Sequence, residues 1–308
     1  MSIVTNADAT VFAPGLTPDH EAGRTPWPLP WGRRLAVSLL VHAPSYRDVV
    51  PADAVTPSAM QGGVGRDTSE PRHGQVARLS QWDFGLTVGL WRLLDIAERA
   101  GVPAAVALDA DGVTTRPGLA QQAAVRAGEV VARGRAANIL LHPGMTEEQE
   151  RDYLTGSREA VAEAAGRPVG GWFSPERAQT PRTTALLTAS GFSWFGDWPV
   201  DERPLRLGED SASLTAVPFG LETEDMFALY ARGLPFPDYH RLLDETIDRL
   251  VADAEVVGGR FLGLSWFGWV LGQACFADVA EHVLTRLAKH PDVALLLPGE
   301  AAGLAGAR

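Results

Sequence analysis

The feature that most constrains the fold is an alternation of short apolar runs with amphipathic segments along the 308-residue chain. Apolar runs typical of buried strands occur at residues 35–41 and 261–268, and residues 88–100 have apolar positions at helical spacing, followed by Gly101 as a C-cap. Strands that alternate with helices form parallel βα units. The pattern therefore predicts an α/β fold, a (β/α) barrel that is closed or nearly closed, with its chemistry at the carboxyl ends of the strands.

The same pattern indicates the domain organisation. Residues 1–33 are rich in Pro, Gly and Thr and show no periodicity, which predicts a surface arm, whereas residues 34–308 are expected to form a single barrel domain. Within that domain, the polar residues 46–80 predict a long loop. Residues 118–133 have the spacing of a helix, and NILLH at 138–142 predicts a short strand.

Charge and cysteine content exclude several kinds of function. The chain has 38 Asp and Glu against 27 Lys and Arg, a net charge of −11, whereas nucleic acids and anionic membranes are bound through basic surfaces. The single cysteine, Cys275, excludes an internal disulfide framework and multi-cysteine metal sites. No apolar run reaches about 18 residues, and the N-terminus lacks a signal-peptide pattern. We therefore expect a cytoplasmic protein with a small-molecule substrate and no nucleic-acid or membrane partner.

Five stretches of the chain match the pattern of one known family. They are Gln81–Asp95, Val106–Ala110, Gly170–Pro204, Val217–Asp225 and Val270–Gln273, of which the block GGWFSPERAQ…FGDWPVDERP is the most specific. These stretches resemble the polysaccharide deacetylase superfamily, in particular its bacterial allantoinase-like and cyclic-imide-hydrolysing branch. The resemblance implies a distorted (β/α) barrel with fewer than eight full units, a hydrolase acting on C–N bonds, and a homo-oligomer.

The departures from that family concern its histidines. In an alignment without gaps, Gly128 and Arg133 occupy the positions of the family's two His residues, Phe267 replaces a later His, and Cys275 another. The acidic end of the first strand is replaced by the sequence VHAP, which contains His42. A metal-activated water needs several neutral nitrogen or anionic oxygen ligands at one point, and an arginine cannot supply one. We therefore predict a reaction without a metal or other cofactor.

Two of the candidate catalytic residues are His42 and Asp83. His42 lies where a strand is expected to end at the barrel mouth, and its ordinary pKa of about 6.5 suits it to move protons. It could instead be a hydrogen-bonded residue that fills a gap. Asp83 lies between Trp82 and Phe84, which would raise its pKa; the alternative is an N-cap for the following helix.

The other candidate catalytic residues are Asp109, Arg133 and Glu222. Asp109 and Glu222 follow strand-like runs, and with Asp225 they would divide acid and base work if they converge, or else cap helices. Arg133 could hold an anionic group or stabilise developing negative charge. Alternatively, it could form a salt bridge with Glu129, four residues earlier on the same predicted helix.

Aromatic residues are concentrated in the segments expected around the barrel mouth. Aromatic side chains at strand ends favour a flat or apolar ligand, although core packing explains about half of such residues. The predicted substrate-binding residues are Trp82, Phe84, Trp91, Phe173, Trp198, Trp266, Phe267 and Trp269, together with Glu176 and His142.

These observations lead to one main hypothesis and two alternatives. The main hypothesis is a metal-independent enzyme that performs acid–base chemistry, such as ring opening or closure, elimination or isomerisation, on a partly apolar or aromatic molecule of specialised metabolism. The first alternative is a hydrolase of a cyclic amide, imide or N-acyl C–N bond. The second is a catalytically inactive binding protein.

Overall fold

The computed structural model describes residues 24–57, 76–208 and 213–305. Most of the predicted arm at 1–33 and the middle of the predicted loop at 46–80 therefore lie outside the described residues. Among the described residues, no helix is both long and apolar enough to cross a membrane.

Nine strands of the described chain form one curled sheet with helices between its strands, which confirms the predicted α/β fold. The strands are β1 (Leu35–Ala43), β2 (Ala104–Leu108), β3 (Glu129–Ala132), β4 (Gly171–Trp172), β5 (Trp194–Phe195), β6 (Leu205–Leu207), β7 (Leu214–Ala216), β8 (Arg260–Phe267) and β9 (Val293–Leu295). The order across the sheet is β6-β7-β5-β4-β3-β2-β1-β8, with β9 also paired to β1. The described pairs are parallel except β6–β7.

Helices cover the outer face of the sheet and connect its strands. They are α1 (Val76–Phe84), α2 (Leu90–Ala100), α3 (Ala110–Thr115), α4 (Leu119–Arg126), α5 (Glu147–Ala165), α6 (Thr183–Ala189), α7 (Phe236–Val257), α8 (Ala277–Lys289) and α9 (Pro298–Gly303). Two π-helical turns (Gly85–Gly89 and Met226–Ala231) and two 3-10 turns (Pro30–Gly32 and Pro175–Arg177) complete the described elements. Gly101 ends α2 in the left-handed conformation, with φ 72°, as its position after the helix predicts.

The central strand β1 separates two packed layers. Its nine residues are all buried, and successive side chains of a strand point to opposite faces. Leu35, Val37, Leu39 and Val41 belong to the large core shared with the helices, whereas Ala36 and Leu40 belong to the cluster inside the barrel. By the same alternation His42 lies on the inner face, at the carboxyl end of the strand.

Three local predictions are wrong. Residues 118–133 do not form one helix: α4 ends at Arg126, and 129–132 form β3, whose Val130 and Val131 pair with β2. Residues 138–142 form no strand apart from an isolated bridge between Leu140 and Val55. The predicted loop at 46–80 does not extend to Ser80, because residues from Val76 on are helical.

The π-helical turn between α1 and α2 packs closely on the segment that follows β8. A Cβ atom on Gly89 would lie 1.8 Å from the carbonyl oxygen of Gly268, and one on Gly85 would lie 2.9 Å from the backbone nitrogen of Trp269. Only glycine allows this approach without a backbone shift. The contact holds the helix from α1 to α2 against the exit of β8, beside the barrel mouth.

Candidate functional site

The carboxyl ends of four strands in one half of the sheet bring polar and aromatic side chains together. His42 ends the inner face of β1, Arg133 follows β3, Phe173 follows β4, and β8 contributes Ser265 and Phe267. These five residues are at most 2% exposed. The structure thus brings together four of the residues predicted from the sequence, His42, Arg133, Phe173 and Phe267.

His42 is enclosed on all sides. Its ring stacks on Phe267 at a centroid distance of 4.5 Å and meets Phe173 edge-on at 4.6 Å. Nδ1 accepts a hydrogen bond from Nε of Arg133 at 3.2 Å, so the ring proton is on Nε2, which lies 2.9 Å from Oγ of Ser265. Burial, followed by the charges of Arg133 and Arg177, lowers the pKa of His42 well below 6.5. The imidazole is therefore neutral and fixed in one tautomer.

The chain of hydrogen bonds continues from His42 to a buried carboxylate. Ser265 Oγ donates to Oε2 of Glu224 at 3.1 Å, and Nη2 of Arg177 donates to the same oxygen at 2.8 Å. Nη1 of Arg177 donates to the carbonyl oxygen of Phe219 at 2.9 Å. Glu224 and the side chain of Arg177 are thereby both held rigidly.

Arg133 has hydrogen-bonding capacity that the described chain does not use. Its side chain is buried, its Nε donates to His42, and its guanidinium carbon lies 5.4 Å from the ring centre of Phe267. Nη1 is buried and finds no hydrogen-bond partner among the described residues. An unpaired buried cationic donor is costly, so an anionic or carbonyl oxygen at this point would be strongly favoured.

Glu176 and Arg177 adopt a strained backbone conformation. Their φ angles are 52° and 54°, in the left-handed region that non-glycine residues rarely occupy. Such strain costs about 1–3 kcal/mol per residue and is concentrated at functional sites. Glu176 is open to solvent on one side. Partial desolvation by the surrounding protein nevertheless raises the pKa of its carboxyl, against the opposing charges of Arg133 and Arg177.

These side chains line a cavity of about 170 Å³ at the barrel mouth. Its lining residues are Arg133, Phe173, Glu176, Arg177, Leu221, Glu224, Met226, Phe227, Ala231 and Phe267. Two guanidinium groups and two carboxyl groups therefore face a space with apolar walls. His42 does not line it, since Phe173 and Phe267 cover the faces of its ring.

A larger cavity of about 600 Å³ lies on the flank, between α3 and α5, and contains the predicted substrate-binding residue His142. It shares no lining residue with the smaller cavity. We take the smaller cavity as the candidate site, because it holds the buried charges and the strained backbone. The structure therefore does not place His142 with Arg133.

Two predicted catalytic carboxylates lie on the outside of the molecule. Asp83 is in α1, where it forms an ion pair with Arg116, and it is not the N-cap of a following helix. Glu222 is exposed and forms an ion pair with Arg232 at 2.6 Å. Neither residue lines the cavity at the barrel mouth.

Asp109 is fully buried but serves the backbone. As the N-cap of α3 it accepts from the amide of Gly112 at 2.7 Å, and it also accepts from the amide of Ser45 at 2.6 Å and from the hydroxyl of Ser45. Burial raises its pKa to about 7, although these hydrogen bonds oppose the rise. The carboxylate therefore ties the exit of β1 to the start of α3.

Asp225, considered as a partner of Glu222, is also fully buried and holds the exit of β8. Its carboxylate accepts from the amides of Phe267 at 3.0 Å, Leu271 at 3.1 Å and Met226 at 2.8 Å. Asp225 thus anchors the segment that carries Phe267 to the loop that follows β7. The carboxylates of Asp225 and Glu222 do not converge, because Glu222 is exposed.

Most of the predicted aromatic residues pack in the interior or against it. Trp266 faces the helices as part of the main core, because it alternates with Ser265 and Phe267 along β8. Trp82 and Trp269 are at most 1% exposed and form a separate cluster with Phe267. Trp91 and Trp198 pack against the main core, and Phe84 is half-buried outside the cavity. Of the eight aromatics, only Phe173 and Phe267 line the cavity.

Sequence reasoning missed three residues of this arrangement: Glu224, Arg177 and Ser265. Glu224 lies two residues beyond Glu222 in the same acidic stretch, and Arg177 directly follows Glu176. Both were within segments already singled out, but local sequence does not say which of two neighbouring charges is buried. Ser265 carried no signal of its own within an apolar strand.

The residues at the barrel mouth do not fit a divalent metal. Both ring nitrogens of His42 are engaged, and three donors hold Asp109. The guanidinium groups of Arg133 and Arg177 would repel a cation. Gly128, one of the two positions aligned with a family His, precedes β3 and lies at the opposite end of the strand from Arg133. In this structure Gly128 and Arg133 therefore do not share one site.

Comparisons with known proteins identify the fold. No protein-family model matches the chain, and no curated protein gives a significant match. Among solved structures, Puue allantoinase superposes with a TM-score of 0.80 at 19% identity, covering 92% of this chain and 94% of its own. A probable polysaccharide deacetylase from Pseudomonas aeruginosa PAO1 superposes with a TM-score of 0.81 at 21% identity, covering 94% and 97%. The chain therefore shares the fold of these two structures.

Proposed function

We propose that the protein is a metal-independent enzyme that performs acid–base chemistry on a small anionic or carbonyl-containing molecule bound in the cavity at the barrel mouth. The observation that carries the proposal is the unpaired Nη1 of the buried Arg133 beside the cavity. The cavity volume of about 170 Å³ is below the roughly 300–1,000 Å³ of common ligand pockets. The substrate is accordingly compact, and smaller than the flat aromatic ligand that the tryptophans suggest.

Arg133 supports the binding of negative charge. A carboxylate, enolate or tetrahedral oxyanion would accept a hydrogen bond from Nη1 in an environment where charge-assisted bonds are strong. Phe173 and Phe267 form apolar walls of the cavity. They strengthen the hydrogen bond from Arg133 to the anion, because they lower the local dielectric. Arg177 contributes positive potential, but its own donors are committed to Glu224 and to backbone carbonyls.

Glu176 is the group proposed to move protons. It lines the cavity, is reached by solvent, and has a raised pKa that brings its carboxyl nearer to neutrality. A carboxyl with these properties can accept a proton in one step and return it in the next. The strained backbone at Glu176 and Arg177 is consistent with this role, because it sets both side chains at the cavity.

His42 is a positioning residue in this proposal and does not touch the substrate. Its neutral Nδ1 orients the guanidinium of Arg133, and its Nε2 proton connects Arg133 to Ser265 and Glu224. The predicted proton transfer through His42 is replaced here by transfer through Glu176, since His42 has no face open to the cavity.

Hydrolysis of an amide or imide bond is the second candidate, because the same two groups could perform it. Glu176 would take a proton from water as the hydroxide attacks the carbonyl carbon, and Arg133 would stabilise the oxyanion. The proton would then pass from Glu176 to the departing nitrogen. The two candidates differ in whether a carbon-bound proton or a water molecule is the proton donor.

Ligand binding tests the anion site. Malonate and pyruvate are titrated against the protein by calorimetry, with malonamide and methyl pyruvate as neutral counterparts. We expect the anions to bind preferentially, and Arg133→Met to weaken them about 10- to 100-fold, the loss of one charge-assisted hydrogen bond. Arg249→Ala, an exposed arginine on α7 paired with Asp253 at 2.7 Å, is the matched control. Equal binding of the neutral compounds, or unchanged binding by Arg133→Met, would refute the anion site.

Turnover tests the chemistry. Solvent deuterium exchange into small 2-oxo acids is followed by NMR, and hydrolysis of succinimide and hydantoin is followed by chromatography. Glu176→Gln should reduce whichever activity is found by about 100-fold or more. Full activity in that variant would show that Glu176 is not the proton-transfer group. Anion binding without any turnover would favour the inactive binding protein.

A further inference from the structure

Helices α7 and α8 carry a cluster of three potential metal ligands, none of which lines the cavity at the barrel mouth. His240 and Asp244 are four residues apart on α7, and therefore share one face of the helix. His282 approaches them from α8. One ligand atom from each residue lies within 4.8 Å of the other two. The two helices thus bring together ligands that lie about forty residues apart in the chain.

The distances within the cluster match those around a tetrahedral metal ion. With metal–ligand bonds of about 2.0–2.1 Å, two ligands of a tetrahedral zinc site lie about 3.3–3.4 Å apart. Here Oδ2 of Asp244 lies 3.1 Å from Nε2 of His282 and 3.6 Å from Nε2 of His240. The histidine rings meet edge to face, with centroids 4.4 Å apart. The two distances from Oδ2 therefore differ from the tetrahedral value by only a few tenths of an ångström, and all three ligand atoms lie within 4.8 Å of one another.

Two further features favour metal binding at this place. Nε2 of His240 is buried and makes no hydrogen bond with any described residue, which is unusual for a ring nitrogen on a surface helix. Arg286 donates to the other carboxylate oxygen of Asp244, Oδ1, at 2.6 Å. Arg286 thereby fixes the orientation of the carboxylate, with Oδ2 facing the histidines. Residues that hydrogen-bond to metal ligands orient them in the same way.

We propose that His240, Asp244 and His282 form a binding site for a divalent transition metal, with Zn²⁺ as the best-matched ion. Two imidazoles and a carboxylate are ligands that zinc accepts, and the fourth position is open to water because all three side chains are partly exposed. Metal binding requires Nε2 of His282 without a proton, so the neutral ring adopts its Nδ1–H tautomer.

The consequence of metal binding is a cross-link between α7 and α8. These helices immediately precede and follow β8, the strand that carries Ser265 and Phe267. A metal bound only by the folded chain stabilises it by mass action. At a hundredfold excess over the Kd, the expected rise in Tm for a chain of this size is about 5 °C. The site is thus a structural clip next to the strand that supports the cavity.

Cobalt titration of the untagged protein tests the site, since tetrahedral Co²⁺ absorbs visible light intensely and Zn²⁺ displaces it. We expect one equivalent to bind with a Kd of about 10 μM or tighter. His240→Ala and His282→Ala should each weaken binding about 100-fold and abolish the rise in Tm with Zn²⁺. His290→Ala removes an imidazole beyond the end of α8 and should change neither result. A Kd weaker than about 10 μM in the unaltered protein, or unchanged binding in both variants, would overturn the proposal.

Discussion

Two buried serines on adjacent strands offer a sharp test of the hydrogen-bond chain behind the cavity. Ser265 on β8 and Ser38 on β1 are both 0% exposed. Ser265 Oγ lies between Nε2 of His42 at 2.9 Å and Oε2 of Glu224 at 3.1 Å. Ser38 Oγ makes no hydrogen bond with any residue in the described ranges. The same substitution, serine to alanine, therefore removes two interactions at one site and none at the other.

The structure gives the expected magnitudes. Ser265→Ala leaves the buried Nε2–H of His42 without an acceptor, at a cost of about 1–3 kcal/mol, and removes a hydrogen bond to a charged carboxylate. Because Glu224 keeps its bond from Arg177, we expect a total loss of about 2–4 kcal/mol in the free energy of unfolding. Ser38→Ala removes an unsatisfied hydroxyl, and should change stability by less than about 0.5 kcal/mol or increase it.

Urea unfolding, followed by tryptophan fluorescence and circular dichroism together, measures both variants under one condition. The result that supports the hydrogen-bond chain is a difference of at least about 1.5 kcal/mol between the two variants with unchanged m-values. If the two substitutions cost the same within about 0.5 kcal/mol, Ser265 does not connect His42 to Glu224. The proposed positioning of Arg133 through His42 would then lose its support.

Three other predictions concern His42, Gly89 and Asp225, with Gly156 as the control for Gly89. Nitrogen-15 NMR spectra at pH 5.5 should show a neutral His42 ring with its proton on Nε2, and an imidazolium spectrum would contradict this. Because folding lowers the pKa of His42, its contribution to the free energy of unfolding is present above pH 6.5 and is lost as the pH falls through the lowered pKa. Gly89→Ala should cost over about 3 kcal/mol or prevent folding, because its Cβ would overlap the Gly268 carbonyl. Gly156→Ala, in open space on α5, should be neutral or stabilising by up to about 1 kcal/mol in the same urea assay. Asp225→Asn turns an amide group toward backbone N–H donors and should lower stability by about 2–4 kcal/mol, so an unchanged Tm would contradict the anchoring role.

Much of the fold was predictable because its signals are local. The apolar run at β1 is continuous since the strand is buried on both faces, and Gly101 marks the end of α2 through its left-handed conformation. The segment 118–133 shows the limit of such signals. Its alanines suit a helix, yet Val130 and Val131 pair with β2, and that pairing decides the conformation.

The candidate site was predictable in part. Phe173, which follows a predicted strand, was expected at the barrel mouth, and the structure places it there. Arg133 was proposed as a site residue on a helix, and it reaches the cavity because 129–132 form a strand instead. Glu222 and Glu224 could not be told apart, because burial depends on how the chain continues after β7. Trp266 was assigned to the site although it alternates with Phe267, since the sequence does not show which residue of the pair faces inward.

The sequence by itself determined the α/β architecture and several of the residues at the barrel mouth, because hydrophobic periodicity and chain punctuation are properties of neighbouring residues. Only the tertiary structure decided which of them meet. It enclosed His42 between Phe173 and Phe267, and left Nη1 of Arg133 unpaired at the cavity. It also brought His282 to a pair of ligands on another helix. The physical reason is that burial and hydrogen-bond partnership arise from strand pairing and helix packing between residues far apart in the chain.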